Sequence, residues 1–160
     1  MRGLEPLRLA ALDMLRIEGG LAFAGHELDN QTDPFEAGIG LAVPPKSKTA
    51  PISGREALER RKASPQRKLV GLLLDATIVP AQGGCVRAER VQVGVVTFAT
   101  RSHVLGQTIA LVRVDVPHAG LGSALEIGQI NGHQKRLTDT VMPFPHFDPG
   151  KARAKGDDIA

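Results

Sequence analysis

Carboxylates crowd one short stretch of this chain: Glu18, Glu27, Asp29, Asp33 and Glu36 fall among turn residues. Such a set can accept hydrogen bonds from the amino and ring N–H groups of a bound heterocycle. It can equally cap turns and pair with Arg16 or Arg55. The histidines offer less. His26-Glu27 opens like a zinc-protease motif, but Asn30 stands where the second imidazole, one helical turn on, would have to be. His103, His118, His133 and His146 are isolated and read as surface or barrel-lining residues. Cys85 follows Gly83-Gly84 with no histidine near it in sequence, which suits a strand residue better than a nucleophile. Gly38-Ile39-Gly40 and Gly120-Leu121-Gly122 lack the third glycine of a dinucleotide loop, and neither a phosphate loop nor a nucleophile elbow is present. No catalytic residue and no metal ligand set emerges.

The elements that would carry these groups change character along the chain. Pro6 suits a first helical position, Gly19-Gly20 ends the run, and Leu7, Ala11, Met14 and Leu15 form an apolar stripe. Arg8, Leu12 and Arg16 share a second face, so the helix is expected to have neighbours on more than one side. Residues 21–43 are rich in turn signals, with a short strand expected over Gly40 to Val43. Pro44-Pro45 and Lys46 to Pro51 read as an exposed loop. Gly54 to Ala63 reads as a charged helix with Ala57 and Leu58 inward, and residues 64–67 as a linker.

Beyond Lys68 the pattern is that of strands. Leu69 to Leu74 is a short apolar run, and Val91, Val93, Val95 and Thr97 alternate with Gln92, Gly94 and Val96. Ile109 to Val114 is rich in β-branched residues. Leu125 to Ile130 and His133 to Val141 flank Asn131-Gly132, a strong hairpin-turn dipeptide. The fold class expected is mainly β: a small C-terminal β-barrel preceded by a helix-and-loop segment, divided as 1–64, 65–147 and a polar tail at 148–160.

Composition narrows the function classes. Of 160 residues 42% are hydrophobic and 23% charged, which is the balance of a globular domain. Aromatics are 3%, with no Trp or Tyr, too few for a base-stacking platform. The net charge of +3 is scattered, with small clusters at Arg60-Arg61-Lys62 and Lys151 to Lys155, so no nucleic-acid partner is expected. No apolar run approaches membrane-spanning length and Met1 to Leu9 lacks a signal-peptide core. With one cysteine a reducing, cytoplasmic location is expected, and the sequon Asn30-Gln31-Thr32 reads as chance.

One resemblance runs through the whole chain. Leu12 to Gly20 resembles the "RDxLRLEAG" segment of the glycine-cleavage T-protein (aminomethyltransferase) family. Gly25-His26-Glu27-Leu28-Asp29, Thr32-Asp33-Pro34-Phe35-Glu36-Ala37-Gly38 and Ile52 to Leu58 follow in the family's order. So do Arg67-Lys68-Leu69-Val70-Gly71, Val93 to Thr97, Leu105-Gly106, Ile109-Ala110-Leu111 and Pro143-Phe144. The resemblance implies tetrahydrofolate as cofactor and transfer of a one-carbon unit to it from an amine. The acidic cluster would then meet a folate pterin. It also implies that 1–64 is the end of a folate-binding core, and that the family's catalytic Asp and most of its pterin contacts lie upstream of anything present. The expected product is therefore a C-terminal portion, inactive alone, needing an N-terminal partner chain or self-associating through its exposed helix face.

Position by position, the resemblance marks Leu12, Arg16 and Glu18 as folate-facing. Leu12 stands where the family has the arginine of "ARD", and a leucine cannot make charge-assisted bidentate hydrogen bonds. That departure favours the relatives acting on methylated amines over the glycine-cleavage activity. A second departure is Thr97-Phe98-Ala99…Ser102-His103 in place of Thr-Ser-Gly…Ser-Pro. For Arg16 and Glu18 a buried ion-pair network is the competing role. The competing function is a non-catalytic barrel or interaction module, or a truncated gene product. A folate-sensing RNA-modification helper ranks last, because the cysteine motif expected of it is not evident.

Overall fold

The computed structural model describes residues 6, 8–43, 51–128, 136–150 and 152–155. The loop at 44–50, Leu7, His133 and the Asn131-Gly132 turn lie outside the described residues.

Six strands close into an antiparallel barrel: β1 (Arg67–Leu74), β2 (Cys85–Ala88), β3 (Val91–Arg101), β4 (Thr108–Asp115), β5 (Ala124–Gly128) and β6 (Arg136–Met142). Their order around the barrel is β1-β4-β3-β2-β5-β6, and β6 pairs back onto β1. The mainly-β expectation holds. Val70, Leu72 and Leu74 of β1, Ala110, Val112 and Val114 of β4, Leu125 and Ile127 of β5 and Val141 of β6 alternate inward and fill the interior.

The continuous apolar run of β4 has a physical reason. Its alternate residues Ile109 and Leu111 point outward but are buried too, with Ile17, Leu69, Phe98 and Phe144 over them. A strand covered on both faces needs no polar face. On β3 the expected strict alternation fails, because two bulges interrupt it. Val93 is the extra residue against β2 and Thr97 against β4, where its hydroxyl donates to the Leu111 carbonyl at 3.0 Å. Val93 and Val96 therefore face the core, Val91 is exposed, and Phe98 turns to the outside of the barrel. Gly94 is required opposite Val114, since a Cβ there would collide with the Arg113 carbonyl.

Before the barrel come α1 (Leu9–Glu18) and α2 (Arg55–Ala63). Pro6 lies before α1, not at its first position, and Gly19 caps its end. The apolar stripe is not what packs: Ala11 and Met14 are half-buried and Leu15 is exposed. Burial is confined to the last turn, Arg16, Ile17 and Glu18, which lies over β3 and β4. Gly40–Ala42 is a 3-10 turn instead of a strand. Its hydrogen bonds are local, Ala42 N–H to the Ile39 carbonyl and Val43 N–H to that of Gly40, and Leu41 is 89% exposed with no strand beside it. In α2 nothing is buried. Ala57 is exposed and Leu58 half-buried, so the inward pair expected there does not form. Ala152–Lys155 makes a helical turn where a tail was expected, with the Ala152 N–H on Asp148 Oδ1 at 2.7 Å.

Candidate functional site

The last turn of α1 delivers Arg16 into the seam between helix, loop and barrel. Its Nη1 donates to Glu27 Oε2 at 2.7 Å and its Nε to Asp13 Oδ1 at 2.8 Å. Two rings flank the guanidinium, Phe98 at 4.8 Å and Phe23 at 5.4 Å from ring centre to its carbon. Phe98 reaches this place because of the bulge at Thr97. Its ring also meets His26 edge-on at 5.0 Å.

Glu27 is the centre of this arrangement and is fully buried. Its Oε2 also accepts the Phe23 N–H at 2.9 Å, and its carbonyl accepts Arg113 Nη2 at 3.0 Å. Arg113, the single cation within the apolar run of β4, thus ties the loop to the barrel wall, with Asp29 Oδ2 3.8 Å from the same nitrogen. The Asp29 carboxyl lies below its usual range, first because the Thr32 hydroxyl donates to it and then because the Gln31 N–H does. Asp33 Oδ1 accepts the Phe35 and Glu36 N–H groups. The Glu36 side chain sits 3.9 Å from Arg67 Nε, while its carbonyl accepts the Leu69 N–H at 2.8 Å. The acidic stretch is therefore engaged in turn capping and pairing.

The three residues marked from sequence do not share one surface. Arg16 and Glu18 point into the chain, and Leu12 is 45% exposed. The Glu18 carboxylate takes a hydrogen bond from the Ser102 hydroxyl, which in turn accepts the Leu105 N–H at 3.0 Å. Leu9 and Leu15, three positions either side of Leu12 on the same helix, are also exposed, as are Leu21 and Phe23 of the following loop. Cys85 opens β2 as a strand residue, half-buried and free. Among the described residues no group of three His, Cys, Asp or Glu could hold a metal ion, and no helix is long and apolar enough to cross a membrane. Arg113 was not singled out from sequence, and Ser102 was quoted only within the loop motif Thr97-Phe98-Ala99…Ser102-His103. The signal for Arg113 was there, a charge inside an otherwise apolar strand; for Ser102 it was the match to the serine of that motif, which did not name Glu18 as its partner.

A further buried carboxylate belongs to the barrel itself. Asp139 of β6 is paired with Leu74 and Leu125 in register and is 1% exposed. Neither carboxylate oxygen makes a hydrogen bond, although the Ile127 N–H lies near enough to favour the charged form. Burial pushes this carboxyl up to about 7, and Glu126 adds to the rise.

Comparison with known proteins gives the frame for these contacts. The model of the glycine cleavage T-protein C-terminal barrel domain matches residues 67–148, just over half the chain. A trimethylamine-oxide aldolase from Ruegeria pomeroyi is 54% identical over 153 residues, covering 96% of this chain and 19% of that protein. An aminomethyltransferase from Listeria monocytogenes is 37% identical over 150 residues, covering 93% of this chain and 40% of that one. The crystal structure of the glycine cleavage system aminomethyltransferase T from Bartonella henselae superposes with a TM-score of 0.79 at 26% identity, over 88% of this chain and 39% of that one. The chain spans about two fifths of the aminomethyltransferases and about one fifth of the aldolase.

Proposed function

The chain belongs to the glycine cleavage T-protein family through its C-terminal barrel domain, and from this premise we propose that it forms the barrel end of a tetrahydrofolate-dependent one-carbon transferase acting on a methylated amine. The observation that carries the choice of amine is the 54% identity to a trimethylamine-oxide aldolase across 96% of the chain, against 37% to an aminomethyltransferase. Leu12 supports the same branch. An exposed leucine offers apolar contact where an arginine would offer a fixed fork of donors.

Tetrahydrofolate is the cofactor this reading implies, and the described residues do not make a cradle for it by themselves. Arg16 and Glu18 are engaged with Glu27, Asp13 and Ser102, and Leu12 has no hydrogen-bonding group. No chemical step is assigned to these three. Their proposed part is positional: Arg16 and Glu18 fix α1 on the barrel, and α1 presents Leu12 to the region that completes the site. The exposed Leu9, Leu12 and Leu15 give that region an apolar face to pack on.

The test is calorimetric titration with tetrahydrofolate of the chain alone and of the chain combined with the N-terminal region of the trimethylamine-oxide aldolase. Binding only in the combination, with transfer from a methylated amine and not from an aminomethyl-lipoyl carrier, is the expected result. No binding in either case would leave the second reading, a barrel module without catalysis. The closed barrel with its own core favours that alternative.

A further inference from the structure

After β6 the chain doubles back over the outer face of β1 and reaches the end of α1. Three contacts hold it there. The Phe147 N–H donates to the Glu18 carbonyl at 2.9 Å. Pro145 and Phe144 lie against Gly20, where a Cβ would stand 2.7 Å from Pro145 Cβ and 3.1 Å from Phe144 Cζ. His146 fills the space that Gly71 leaves open, since a Cβ on Gly71 would be 2.5 Å from its Cε1 and 2.9 Å from its Nε2. The imidazole is buried, with Nε2 3.3 Å from the Ala110 carbonyl and the Phe144 ring edge-on at 6.0 Å. Its Nδ1 is enclosed with no partner among the described residues.

We propose that residues 143–147 form a strap clasping the end of α1 to the barrel, and that uptake of a proton by the His146 imidazole opens it. Neutral imidazole fits the seat: Nε2–H donates to Ala110 and Nδ1 needs no proton. An imidazolium would place a second N–H, and a charge, where nothing accepts them. The groups packed around it offer no relief. β1 contributes Gly71, β4 the Ala110 carbonyl and the strap itself the Phe144 ring. At the end of α1 the Glu18 carboxylate is already taken by Ser102, and Asp148, one residue past the strap, caps Ala152. Burial accordingly holds the imidazole below its ordinary range, with the Ala110 carbonyl opposing in part. The sign follows. A base depressed in the closed state keeps the strap shut above its free value of 6.5, and closure weakens as pH falls from there toward the closed-state value.

Opening would release the Glu18 carbonyl and uncover Gly20, loosening the turn that leads from α1 to Phe23 and Glu27. The consequence is a pH-dependent hold on the element carrying Leu12, independent of which one-carbon reaction the family member performs.

The experiment is hydrogen exchange on the intact chain from pH 7.5 to 5.0, corrected for the intrinsic rate, together with an NMR titration of the His146 ring. The opening constant of residues 143–147 and of the last turn of α1 should rise about tenfold per pH unit between 6.5 and the closed-state value. Amides of β4 should not follow. His146→Gln, which cannot take the proton, should lose this pH dependence whatever its basal opening. A ring titrating at or above 6.5, flat protection of α1 across the range, or an unchanged pH response in His146→Gln overturns the proposal. If the variant does not fold, the first two measurements on the unaltered chain decide alone. Asp139 titrates in the same range but acts on the barrel and with the opposite sign, so the two are separable by segment.

Discussion

Arg16 and Glu27 meet at 2.7 Å in a place where neither side chain reaches solvent, with Phe98 and Phe23 on the guanidinium faces. Helix, loop and barrel are joined at this pair, and its members depend on each other. Removing Arg16 leaves Glu27 buried without a counter-ion, and removing Glu27 leaves Arg16 with only the partly exposed Asp13.

Arg16→Met or Glu27→Leu alone should therefore destabilise the fold by about 3–5 kcal/mol. The double variant should lose much less than the sum, because no lone charge remains. Chemical denaturation of the four proteins checks this, and additive losses would contradict it.

Asp139 predicts a pH profile. Its carboxyl is at about 7 in the fold against 3.8 in the open chain. Between these values the unfolded chain gives up the proton while the folded one keeps it, so this group lowers stability as pH rises from about 4 to about 7, and the loss is constant above. Asp139→Asn should be the more stable protein at pH 8, by on the order of 2–4 kcal/mol, and nearly equal to the parent at pH 4. Denaturation midpoints at the two pH values measure the difference.

Gly71 predicts a paired effect. Gly71→Ala should destabilise by about 1–3 kcal/mol, since its methyl meets the His146 ring. Combining it with His146→Ala should cost less than the two changes added. Thermal unfolding of the single and double variants gives the comparison, and simple additivity would place the strain elsewhere.

Leu9, Leu12 and Leu15 predict behaviour in solution. These side chains are exposed along one helix, so the chain should self-associate as concentration rises. Leu12→Lys with Leu15→Lys should shift it toward monomer while changing stability by no more than about 0.5 kcal/mol. Light scattering over a concentration series decides, and a parent chain that stays monomeric throughout would refute the association.

The barrel was legible because its strands carry period-two or continuous apolar runs, and β1, β4, β5 and β6 lie where those runs fall. What escaped was set by neighbours far away in sequence. The bulges at Val93 and Thr97 depend on pairing with β2 and β4, so nothing in Val91 to Thr97 itself announces that Val96 turns inward. On α1 the apolar stripe is visible, but the barrel covers only Arg16, Ile17 and Glu18, and a helical period does not say which turn will be covered. The acidic cluster was visible as a group. Its division into turn caps and a partner for Arg16 needed the loop conformation. His146 looked like one isolated histidine among several, because its seat is made by Gly71 and Ala110, more than 30 positions earlier.

The circular strand order has a consequence for how this chain can meet others. With β6 bonded to β1 the ring closes, and among the described residues no terminal strand is left to template a newcomer. Recruitment of a second polypeptide would then be expected through side chains, and the exposed leucines of α1 offer one such place. A partner docking there would be selected by shape and apolar fit, and backbone ladder extension, the common route to fibrous misassembly in β-rich proteins, finds no terminal strand among the described residues to start from.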